Sequence, residues 1–191
     1  MELLYGARKQ IFLTFGPFVL IKLYGIDTRQ MALLMALCAF TNMFLSPLVG
    51  RLIDHFGYRT IMIADTLILF WVCLLYGFAH QLFAPAIALW VVTVNFLLDN
   101  VISTASMATA LYVKDVSASQ DELTSTLSTG ISANHLVAVM AAPLGGLVWK
   151  YYGVETLFVF GAVMALVHSG VACLIRKPKK ATPEQELLRA S

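Results

Sequence analysis

Charge is scarce in this chain of 191 residues: lysine, arginine, aspartate and glutamate together make up only 13% of it, about half the share of a soluble domain. So few charges cannot cover a water-facing surface, which excludes a soluble globular protein, and no nucleic-acid partner is expected. Cysteine is also sparse. Cys38, Cys73 and Cys173 all lie in apolar stretches at no metal-ligand spacing and read as small packing residues. Segments of about ten residues with alternating polarity are missing, which excludes a β-barrel. The first apolar stretch has no small-residue cleavage site and is followed by others, so it reads as a retained helix and not as a secretory signal. A phosphate-binding glycine loop, an HExxH pair, a nucleophile elbow and a metal-spaced cysteine set are all absent. Neither enzymatic function nor a cofactor is expected.

What is present is oil. Hydrophobic residues make up 59% of the chain and the mean hydropathy is +0.79. Apolar stretches recur at residues 9–26, 30–49, 60–79, 84–112, 123–149 and 154–175. Each is close to or above the ~20 residues a helix needs to cross the hydrocarbon core. The fold class is therefore all-α membrane protein with six transmembrane helices: residues 1–176 form one bundle in the lipid bilayer, and residues 177–191, "KPKKATPEQELLRAS", form a polar tail.

Orientation follows from the basic residues. With six spans the two termini share a side with the 2/3 and 4/5 connections, and that side holds ten lysines and arginines, against Lys22, Arg29 and Lys150 on the other. The excess predicts cytoplasmic termini in an inner or plasma membrane. Lys22 near its helix end is expected to snorkel to the headgroups.

The densest cluster of charge is "GRLIDHFGYRT", residues 50–60, between the second and third stretches. Gly50 and Gly57 suit a tight reversal with close backbone approach. Asp54 can face a helix N-terminus, while Arg51 and Arg59 can reach helix C-terminal carbonyls. Two readings are open: a latch made by charges at helix ends, and a hairpin whose charges only enforce topology. In its spacing, Gly50, Leu52, Asp54, Gly57 and Arg59 resemble the cytoplasmic 2/3-loop signature of the major facilitator superfamily, G-x-L-x-D-[R/K]-x-G-[R/K]-[R/K]. His55 and Tyr58 depart from it, standing where basic residues are usual. The resemblance implies that the loop is an interdomain latch stabilising one alternating-access state.

A second resemblance lies in "AAPLGGLVW", residues 141–149, similar to the proline and double-glycine ending of the fifth helix in halves of that family. There Pro143 is expected to kink the helix, and Gly145 and Gly146 to allow close helix packing. The family fold joins two six-helix halves. The present stretches correspond to one, more like the C-terminal half, because the fourth lacks the arginine common in the N-terminal half. Either the sequence is a fragment, or it is a six-helix protein whose implied partner is a second six-helix half or a copy of the chain.

Polar residues at membrane depth are the candidate functional groups. Asp65, near its helix start, reads as an end-of-helix contact, and His168 as a histidine bonding a neighbouring backbone. Asn95, Asp99, Ser103 and Ser106 share one face of the fourth helix, and Ser125, Ser128, Ser132 and His135 one face of the fifth. Asn100 and Asn134 lie beside these stripes, where a hydrogen bond between helices is an equal alternative. Asp99 and His135 fall at matching depth, near the middle of consecutive antiparallel helices. They are expected to be neighbours, either as a proton-coupling pair or as a static bond between helices. Together with the resemblance, this predicts transport of an unknown small solute by alternating access. A non-transporting membrane interaction subunit and a six-helix channel are the alternatives.

Overall fold

The computed structural model describes residues 2–174, with side chains from Lys9 onward; the predicted tail at 177–191 lies outside the described residues. The elements are α1 (Glu2–Lys22), α2 (Thr28–Phe56), α3 (Tyr58–Leu82), α4 (Pro85–Ser103), a 3-10 turn (Thr104–Ser106), α5 (Met107–Val116) and α6 (Gln120–Cys173). There is no strand among the described residues. Among the described residues, four helical stretches, Thr28–Phe56, Tyr58–Leu82, Pro85–Val116 and Gln120–Cys173, are long and apolar enough to cross a bilayer.

Local chemistry sets the helix ends. Asp27 caps α2: its Oδ1 accepts from Thr28 N at 2.7 Å, and its side chain also accepts from the Gln30 backbone N–H while Gln30 Oε1 accepts from Asp27 N at 3.1 Å, the reciprocal arrangement of a capping box. At the other end α2 passes into α3 through one non-helical residue, Gly57, with φ 81° and ψ 157°, a conformation that side chains with a Cβ rarely adopt. The anticipated 50–60 loop is thus almost wholly helical. Gly50 sits inside α2 with no atom near the position a Cβ would take, so the reversal is made by Gly57 alone. Pro85 opens α4 at its first turn, where its missing N–H costs no helical bond.

One span differs from its sequence boundaries. The fourth, expected as one helix over 84–112, is α4 and α5 joined by the 3-10 turn. Ser103 Oγ donates to the Asn100 carbonyl oxygen at 2.7 Å, and Asn100 Nδ2 to that of Phe96 at 3.0 Å. Side chains that occupy helical carbonyls in this way compete with the backbone ladder and bend it. The fifth and sixth stretches, expected at 123–149 and 154–175, lie along α6 on either side of Gly153; its 54 residues would run about 80 Å if straight. They are not straight. Gly153, at φ 88° and ψ 171°, breaks the helix, so the non-helical point is there and not at Pro143. A Cβ built on Gly145 would stand 3.4 Å from Leu157 Cδ1, twelve residues further on, whereas a straight helix would separate them by roughly 18 Å. The chain therefore doubles back at Gly153.

The core forms where α3 and α1 pack against α6. Tyr76, 1% exposed, stands at its centre. Phe12 meets Tyr76 and Phe158 edge-on, with ring centroids 5.2 and 5.3 Å apart, a favourable aromatic geometry. A second, smaller cluster of Ile53, Met62, Ala108 and Ala172 lies at the Gly57 end. At the opposite end, Glu155 Oε1 accepts from Gln81 Nε2 at 2.8 Å and lies 3.0 Å from His80 Nε2, tying the end of α3 to residue 155 of α6.

Candidate functional site

The polar face of α4 looks into a cavity of about 310 Å³ bounded by α1, α2 and α4. From α4 come Phe96, Asp99, Asn100 and Ser103; from α2, Met35, Cys38, Ala39 and Asn42; from α1, Lys9, Phe12, Leu13 and Pro17. Helical spacing puts Asp99 and Ser103 one turn apart on the same face, which is why both reach it. The wall is mixed: one carboxylate, one ammonium, two amides and a hydroxyl set among aromatic and aliphatic side chains. Asn42 Oδ1 is buried with no hydrogen-bond partner among the described residues, although its backbone carbonyl accepts from Ser46 Oγ at 2.7 Å.

Not every expected residue arrives here. Asn95, on the same stripe, is 4% exposed and packs away from the cavity. His135 and Asn134 lie on the first part of α6, His135 exposed and Asn134 half-buried. None of residues 120–144 is buried, and among the described residues α4 makes no packing contact with α6. The expected adjacency of Asp99 and His135 is therefore corrected within this chain. Consecutive helices need not be neighbours: α6 is drawn to α1 and α3, while α4 packs on α3, α2 and α1. Asp65 and His168 are buried on α3 and α6 and do not line the cavity.

The small residues of 143–146 divide. Gly145 is buried against α1, where an added Cβ would fall 2.5 Å from Phe15 Cε2, whereas Gly146 and Pro143 are exposed and Gly146 has open space around it. At the 2/3 turn the Asp54 and Arg59 side chains are exposed. Tyr58, which stands where the signature has a basic residue, donates its hydroxyl hydrogen to Asp115 Oδ2 on α5 and sets its ring edge-on to Tyr112, with centroids 6.3 Å apart.

Asn42, Lys9 and the Tyr58–Asp115 contact were missed by sequence reasoning. Asn42 carried a usable signal, a carboxamide deep in an apolar span. Lys9 counted only toward orientation, and nothing in the spacing of Tyr58 and Asp115, 57 residues apart, joins them.

The comparisons agree with this architecture. No curated protein matches the chain, but the model of the family described as Major Facilitator Superfamily matches residues 2–190. This multi-pass membrane chain belongs to the Major Facilitator Superfamily, a family of membrane transporters.

Proposed function

We propose that the chain makes six membrane spans and serves as one six-helix bundle, of the C-terminal type, of a proton-coupled secondary transporter. It works with a second six-helix bundle. Both termini are cytoplasmic in a plasma or inner membrane, and a small solute moves by alternating access of the cavity. The observation that carries this reading is Asp99 in the wall of the 310 Å³ cavity.

A carboxylate in the middle of a span costs ~2.5–3.5 kcal/mol on insertion scales, so such a residue marks a functional position by default. The cavity lies at the small end of the range of ligand sites, roughly 300–1,000 Å³, which favours a small solute. Asn42 Oδ1 offers that solute an acceptor. Asp99 takes up and releases the coupling proton. The exposed face of residues 120–144, with Ser125, Ser128, Ser132, Asn134 and His135, supports the second bundle, because polar groups at membrane depth need protein or water rather than lipid. In this reading His135 works at the junction with that bundle.

The test is proteoliposomes holding a pH-sensitive dye and challenged with a panel of hexoses, amino acids, organic acids and organic cations. The wild type moves protons with one class of solute. Asp99→Asn should abolish that proton movement and spare exchange of the solute across the membrane. Proton movement at the wild-type rate in Asp99→Asn would remove the coupling role.

A further inference from the structure

Among the described residues, the charged groups of the cavity wall are Lys9 on α1 and Asp99 on α4. Gly16 of α1 comes close to Phe96 of α4: a Cβ there would stand 3.2 Å from the ring. Successive helices alternate in direction. Counting from that contact along the antiparallel pair sets Lys9 level with Ser103, and Asp99 one turn, about 6 Å, nearer the middle of the span. Lysine carries its ammonium on a flexible four-carbon stem of about that reach, so one small solute can meet both groups. The other titratable side chains at this point are the Cys38 thiol of α2, in the wall, and the Tyr76 phenol of α3, bonded to the Gly16 carbonyl oxygen. Both groups are uncharged at neutral pH. Among the described residues, α5 and α6 bring nothing to the wall.

We propose that the transported solute is a small organic monoanion with an apolar body, bound by Lys9 and moved in the same direction as the proton carried by Asp99. Charge balance selects this class. With the cavity empty, the Lys9 ammonium and the Asp99 carboxylate cancel. An uncompensated charge is costly in a site closed off from water, so the states that cross the membrane are those in which the sum returns to zero. A monoanion that enters with a proton meets this condition: the proton removes the charge of Asp99, and the solute takes its place as the counter-ion of Lys9. A neutral solute entering with a proton leaves Lys9 uncompensated. An organic cation leaves excess positive charge whether or not Asp99 is protonated. A zwitterion fits the empty charge state but then needs no proton. The monoanion alone makes the proton obligatory. That proton comes from the outer solution and leaves to the cytoplasm, and no bond within the solute changes. Phe12, Leu13, Met35 and Phe96 give the wall the apolar surface that the body of such a solute needs.

This role of Lys9 rests on the proton-coupled reading of Asp99, and the test separates the two. Proteoliposomes holding a pH-sensitive dye are reconstituted with the full chain as extracted from its membrane. They are challenged with methanesulfonate and benzenesulfonate, which stay ionised and do not cross lipid as free acids, with the neutral methanesulfonamide and benzenesulfonamide, and with leucine as a zwitterion. A sulfonate should acidify the lumen at a rate that an imposed membrane potential leaves unchanged, and the sulfonamides and leucine should not. Lys9→Gln should raise the half-saturating sulfonate concentration about tenfold or more, as loss of a hydrogen bond to a charged group requires, and Lys9→Arg should recover most of it. In Asp99→Asn, whose wall keeps the charge of the protonated carboxyl, sulfonate exchange should persist and no longer weaken as pH rises. Acidification by a sulfonamide, a hexose or an organic cation but by no sulfonate keeps the transport reading and overturns this one. Wild-type half-saturation in Lys9→Gln overturns it too. If that variant does not insert, the wild type decides: sulfonate-driven acidification that follows the imposed potential overturns the proposal. Acidification with no solute of any class overturns the proton-coupled reading itself, and this inference with it.

Discussion

The Tyr76 hydroxyl donates to the Gly16 carbonyl oxygen at 2.7 Å, inside the aromatic cluster that joins α1, α3 and α6. In this apolar setting the phenol has no water to turn to, and the bond ties α3 to α1 just before Pro17. Tyr76→Phe should lower stability by about 1 kcal/mol, the net worth of a typical buried hydrogen bond. Thermal unfolding of the detergent-solubilised protein measures it, and an unchanged midpoint would mean that the ring packing alone holds the helices.

Gly145 and Gly146 form an internal control. At Gly145 a Cβ would overlap the Phe15 ring at 2.5 Å and 2.8 Å, while at Gly146 it would meet nothing within 4 Å. Gly145→Ala should therefore destabilise by ~1–3 kcal/mol, the usual cost of overpacking. Gly146→Ala should be neutral or slightly stabilising, because alanine is the better helix former. Equal effects of the two, in the same unfolding assay, would mean that α1 and α6 do not approach at this point.

Gly57→Ala puts a side chain on a residue at φ 81° that is the whole joint between α2 and α3. A strained backbone of this kind costs ~1–3 kcal/mol, whereas Gly50→Ala, inside α2 with open space around it, should cost nothing measurable. Comparing the two variants by expression level and by protease resistance in membranes separates the turn role from general sensitivity of the 50–60 segment.

Cys38 and Cys73 are both buried, but only Cys38 lines the cavity; Cys73 lies beside Gly161, where a Cβ would be 3.2 Å from its sulfur. Cys38 should react with N-ethylmaleimide at least ~10-fold faster than Cys73 in native membranes, since access to a packed core needs a larger opening than access to a cavity. Mass spectrometry of the labelled peptides reads this. Equal rates would mean that the cavity between α1, α2 and α4 stays closed to solutes of that size.

Membrane class and helical architecture were legible in the sequence because they depend on one-dimensional quantities. Lipid rewards an apolar run of sufficient length and forbids unsatisfied backbone, so composition and run length suffice. The 2/3 signature was legible for a similar reason: Gly57 is needed at a position with positive φ, whatever packs around it. Asp99 and Ser103 could be assigned to one polar face from helical spacing alone, and both line the cavity.

Which helix stands beside which was a different matter. Hydropathy says that a span is buried in lipid or protein but not in which direction its polar face turns, and in lipid no hydrophobic force sorts helix from helix. Adjacency was decided by shape: Gly145 admits Phe15, the Tyr76 ring fits between Phe12 and Phe158, and these fits draw α6 to α1 and α3. As a result Asp99 shares the cavity wall with Asn42 and Lys9, and His135 lies on a separate, exposed surface. The sequence determined the solvent, the helices and the polar stripes, which are properties of single segments. Only the tertiary structure decided which stripe meets which, because that depends on contacts between residues far apart in the chain.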